Sequence, residues 1–75
     1  MTAPHYPEVE VTIGRFAGNR LAVLGLVIGA MNDAGVPPEQ VSAFVIEVNR
    51  QPETYDATLA VIASWVTVRA GEPQR

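Results

Sequence analysis

The residue types that carry chemistry are few in this chain, and their spacing does not bring them together. His5 is the only histidine and there is no cysteine, so no second imidazole or thiolate is present to share a transition metal with it. A general base must also be held against the group it deprotonates. His5 instead sits in the stretch Pro4-His5-Tyr6-Pro7, where an extended, loose lead-in is expected. Ser42 and Ser64 have no histidine near them in sequence to activate a hydroxyl. Glu8 and Glu10 share one face of a strand, a spacing at which two carboxylates can flank a substrate, but the same spacing is that of a solvated strand face, and we read it so. Tyr55-Asp56 opens a helix, where a carboxylate complements the dipole without further function. Gly14 to Gly18, GRFAG, joins a strand to a helix as phosphate loops do, but it has neither G-x-G-x-x-G nor the Lys-Ser/Thr of a Walker loop. It reads as a plain turn with Phe16 tucked under the helix. The expectation is a non-enzymatic protein with no catalytic residue, no cofactor and no metal.

What remains is surface, and one stretch dominates it. From Leu21 to Met31, LAVLGLVIGAM carries no charge and no polar side chain, and a helix through it is apolar on more than one side. On a helical wheel Leu24, Val27, Met31 and Ala34 form the core stripe, with Val23 and Ile28 at its edges. Ala22, Gly25, Leu26 and Gly29 point the other way. A 75-residue chain is near the size at which one core stabilises a fold only marginally, so it cannot readily cover both sides of such a helix. The outer side is therefore expected to be an interface, with Ala22, Gly25, Leu26 and Gly29 in it and Leu26 as the anchor. The partner expected first is a second copy, in a homodimer. The run is too short for a bilayer, which needs roughly 20 apolar residues. The amino-terminal stretch MTAPHYPEVEV lacks a basic segment followed by an apolar one, so no signal peptide is expected, and the chain reads as soluble and cytoplasmic.

The elements that must position this helix follow in order. Val9, Val11 and Ile13 alternate with Glu8, Glu10 and Thr12 in a half-buried strand ended by Gly14. Asn19 caps the long helix and Gly35 closes it. Pro38 suits a first helical position, so a second helix runs to about Asn49 with Val41, Phe44, Val45 and Val48 inward. Thr54 caps a third helix, Tyr55 to about Ala63, buried through Tyr55, Leu59 and Ile62. Trp65 to Arg69, WVTVR, is a second strand by composition and alternation, with Val66 and Val68 inward. That alternation puts Trp65 outward beside Thr67 and Arg69, a second interface candidate. The fold expected is α+β, a single domain over 1–75 with 1–7 and 70–75 loosely ordered, in the order β-α-α-α-β, a two-stranded sheet packed on three helices. If successive elements reverse direction, the two strands lie parallel.

Residues 30–45, AMNDAGVPPEQVSAFV, are similar to the helix-turn-helix of LacI-type repressors, with Ala34-Gly35-Val36 as the turn. That makes a DNA-binding regulator using residues 30–49 the alternative. Eight acidic residues against five basic leave a formal net charge of −3, and the would-be recognition helix carries Glu39 and Glu47 and no basic residue before Arg50. Duplex binding draws its affinity from neutralising phosphates, so nucleic acid is not the favoured partner.

Tyr6-Pro7-Glu8-Val9-Glu10-Val11, Gly18-Asn19 with Ala22 and Leu24-Gly25, Ala34-Gly35-Val36, Phe44 with Glu47, Tyr55-Asp56 with Leu59, and Trp65-Val66 with Val68 are spread over most of the chain. In this pattern the chain resembles a family of small proteins encoded by actinobacterial phages and prophages. The resemblance implies a phage origin, a place in the host bacterial cytoplasm and the same β-α-α-α-β order, with no activity attached. The family pattern has Asp before Gly-Asn and basic residues along the outer side of the long helix, where this chain has Ala17, Leu26, Ile28 and Gly29. The substitution of charge by apolar surface adds to the expectation of an interface, with a host regulatory or defence protein as a further candidate partner.

Overall fold

The computed structural model describes residues 4–69. Strand β1 (Tyr6–Thr12) leads through one 3-10 turn (Gly14–Phe16) into α1 (Arg20–Asp33), α2 (Pro38–Asn49), α3 (Tyr55–Trp65) and strand β2 (Val66–Arg69). The order is β-α-α-α-β, and the two strands pair in parallel. Parallel neighbours need a long crossover, and here all three helices supply it. The helix boundaries follow from local chemistry. Asn19 accepts a hydrogen bond from the Ala22 amide at 3.1 Å, and Thr54 accepts one from the Ala57 amide at 3.2 Å, so both side chains cap as expected. At the end of α1, Gly35 takes φ 84°, the Gly35 amide donates to the Asn32 carbonyl at 3.1 Å and the Val36 amide to the Met31 carbonyl at 3.0 Å. This pair of bonds closes the last carbonyls, and the buried side chains of Val36 and Met31 lie at its two ends. α2 starts at Pro38, whose missing N–H costs nothing in a first turn.

β1 begins at Tyr6, two residues ahead of the Glu8 start that alternation predicts, so Tyr6 and Pro7 belong to the sheet rather than to a loose lead-in. Val9 and Val11 are buried while Glu8, Glu10 and Thr12 are exposed. Glu10, Val11 and Thr12 lie opposite Thr67, Val68 and Arg69, and the Ile13 amide extends the pairing to the Arg69 carbonyl at 3.0 Å. Between Tyr6 and Glu10 the register shifts, four steps of β1 answering one of β2. Pro7, which has no amide to give, falls inside this bulge, and its carbonyl accepts from the Thr67 hydroxyl at 2.8 Å. Of the loosely ordered ends expected at 1–7 and 70–75, residues 1–3 and 70–75 lie outside the described residues.

The core gathers Val9, Val11, Ile13 and Val66 from the sheet region, Val23, Val27 and Met31 from α1, Phe44 and Val48 from α2, and Val61, Ile62 and Trp65 from α3. Two helical faces differ from expectation. On α1 the centre of the buried stripe is Val23, Val27 and Met31, so Val23 replaces Leu24, which is half-buried, and Ala34 is exposed at the cap. The stripe turns by less than one position on the wheel, because an almost uniformly apolar helix carries little phase information of its own. α3 runs two residues past Ala63, and its buried set is Thr58, Val61, Ile62 and Trp65.

Candidate functional site

The outer side of α1 is the surface that chemistry and geometry single out. Leu21, Gly25 and Gly29 recur every four residues and so stack along one row. Leu21 is 73% exposed, the highest among the large apolar side chains described. Gly25 and Gly29 are exposed, and a Cβ built on either would meet no atom within 4 Å beyond the helix itself. The two glycines are therefore not small to admit a neighbour within the fold, since none approaches them. Leu24 and Ile28 flank the row on one side, Ala22, Leu26 and Ala30 on the other, all half-buried. Leu26, the expected anchor, leans onto the core from that flank. Leu21, in the first turn of α1, is the side chain that stands clear.

Trp65 is not on the outer face of the sheet. It is the last residue of α3 and only 5% exposed, which corrects the strand reading of its position. Spacing from Thr58, Val61 and Ile62 places it on the buried helical face, and its indole Nε1 donates to Glu47 Oε1 of α2 at 2.9 Å. Phe44 meets the indole edge-on at 5.7 Å between centroids, Tyr6 stacks at 6.3 Å, and the exposed His5 ring lies at 4.5 Å. The His5 amide also donates to the Ser64 carbonyl at 3.2 Å. His5 thus lies against Trp65 at the start of the sheet.

Two further polar contacts escape sequence reasoning. Thr58, 1% exposed, is the single buried polar side chain described, and its hydroxyl accepts from Arg20 Nε at 2.7 Å, tying the start of α1 to α3. A threonine at the spacing of Val61, Ile62 and Trp65 was the available signal. On the solvated sheet face, Arg69 Nε and Nη2 reach Glu10 Oε1 and Oε2 at 3.0 and 3.3 Å. Hydrogen bonding from the guanidinium, and then its charge, hold the Glu10 carboxyl below its usual range, and Glu10 in turn raises Arg69. Glu8 stays exposed beside this pair. Among the described residues, no three His, Cys, Asp or Glu groups gather as a metal site would require, and no helix is long and apolar enough to cross a membrane.

No family model, curated protein or solved structure matches the chain. The turn between α1 and α2, expected to be that of a helix-turn-helix, is closed by Gly35 at φ 84°, and Val36 is buried. The first turn of α2, which such proteins present to base edges, exposes Glu39 and Gln40.

Proposed function

We propose that this chain is a small, non-enzymatic, phage-type accessory protein that works by binding protein: a second copy of itself first, and a host regulatory or defence protein as a further partner. One observation carries the binding function. An uncharged helix face with Leu21 at 73% exposure and open space above Gly25 and Gly29 is left uncovered by a fold that buries the helix's other side. The phage-type part rests on the motif resemblance, and the homodimer on the marginal size of a single 75-residue core. Sedimentation over a micromolar concentration series tests self-association: species at twice the 8.0 kDa chain mass support it, and a monomer throughout overturns it. Affinity capture from host lysate tests the further partner. The second reading, a helix-turn-helix regulator, is favoured by the Gly35-Val36 turn and opposed by Glu39. Salt-sensitive retention on duplex DNA would move it ahead.

A further inference from the structure

Resting on self-association, we infer the arrangement of the dimer: α1 packs against α1 of a second copy in antiparallel sense, with a two-fold axis at Gly25, so that Leu21 of each copy seats on Gly29 of the other. A two-fold interface must be complementary to itself. The row Leu21-Gly25-Gly29 has that property, because it carries its projecting side chain four residues before the middle glycine and its open seat four residues after it. At about 1.5 Å per residue, both lie roughly 6 Å from the axis.

Charge chooses the direction. The face itself is uncharged, but Arg20 opens α1 and Asp33 ends it, with Arg15 ahead of the helix in the 3-10 turn and Glu39 after it in α2. With the axis at Gly25, Asp33 of one copy lies beyond the amino end of the other copy's α1, about 4.5 Å along the axis from Arg20. Arg15, Asp33 and Glu39 are exposed, and Arg20 is half-buried with its Nε engaged by Thr58. A parallel copy would bring like charges and like ends of the helix dipoles together.

Area sets the strength. The fourteen residues of α1 give a face about 21 Å long and one helix, about 10 Å, wide. That is well short of the roughly 800 Å² per partner of a standard stable interface, so the dimer exchanges with monomer and depends on concentration.

The chain has no cysteine, which makes disulfide trapping a clean test. Cα atoms must come within about 7 Å to be bridged. Gly25→Cys should oxidise to a covalent dimer rapidly, as should a mixture of Leu21→Cys with Gly29→Cys. Leu21→Cys alone should cross-link slowly, like Ile46→Cys on the exposed side of α2. Rapid trapping of Leu21→Cys alone would show a parallel pair and overturn the arrangement. A dimer in sedimentation that none of the α1 cysteines trap would place the interface elsewhere, overturning the arrangement and leaving self-association standing. A monomer at every concentration would remove both.

Discussion

Replacing Glu47 by alanine isolates the hydrogen bond that fixes Trp65. The indole is 5% exposed, and its Nε1 has the Glu47 carboxylate at 2.9 Å as partner. Removing the acceptor leaves a donor with little access to water, a loss of about 1–3 kcal/mol. The glutamate is itself half-buried on α2, and alanine is at least as good a helix former, so helix propensity does not add to the loss. In a domain of this size about 1 kcal/mol moves the melting midpoint by about 4–8 °C. Glu47→Ala should therefore melt several degrees to some twenty degrees lower, and Glu47→Gln, which keeps an oxygen acceptor, should lose less than half as much. Thermal unfolding followed by far-ultraviolet circular dichroism and by the emission of this single tryptophan reads both. An alanine variant within a degree of the parent would refute the reasoning, since it would mean that water satisfies the indole and that ring packing alone holds Trp65.

Leu21→Arg should leave the circular dichroism spectrum and melting midpoint of the monomer unchanged while raising the dimer dissociation constant more than tenfold in sedimentation; an unfolded variant would show that Leu21 is core. Val27→Asp, at a fully buried position in the centre of α1, should prevent folding, visible as a random-coil spectrum at neutral pH. Gly35→Ala should cost about 1–2 kcal/mol in urea unfolding, because φ 84° is unfavourable for a side chain. Glu10, whose carboxyl is held low by Arg69, adds stability above the range where an unfolded glutamate titrates, and loses it as pH falls through the lower folded value. Glu10→Gln should accordingly narrow the stability difference between neutral and acid pH, and by little, because the pair is solvated.

How much was legible in the sequence depended on whether local chemistry or distant packing set the outcome. Asn19, Gly35, Pro38 and Thr54 act within one helical turn of themselves, and the helix ends they mark agree with the structure. The alternation of Val9 and Val11 with Glu8, Glu10 and Thr12 likewise carries the sheet's inner and outer faces. Trp65 shows the opposite case. WVTVR alternates as a strand should, and its valines do form β2, but Trp65 itself continues α3 into a socket built by Phe44 and Glu47 of α2 and Tyr6 of β1. No local pattern states that those residues converge. The phase of α1 was blurred for a different reason: with apolar residues almost all round, only its neighbours decide whether Val23 or Leu24 faces in. For the outer face, the sequence carries the absence of charge and the two glycines, and the exposure of Leu21 required the coordinates.

Parallel pairing of β1 with β2 has a consequence for the order in which the molecule can be made. Glu10 meets Arg69, and Pro7 meets Thr67, across 59 and 60 positions of sequence. During synthesis β1 leaves the ribosome first and must wait for nearly the whole described chain before its partner exists. α1 and α2 can form and begin to pack in that interval, because their contacts are nearer in sequence, while the hydrophobic side of β1 has α1 to lie on but no strand beside it. Completion of the sheet is then the late, slow event, delayed by the cost of closing so long a loop. A nascent chain stalled before Val66 would present β1 as an open edge, available to any other extended strand in its surroundings.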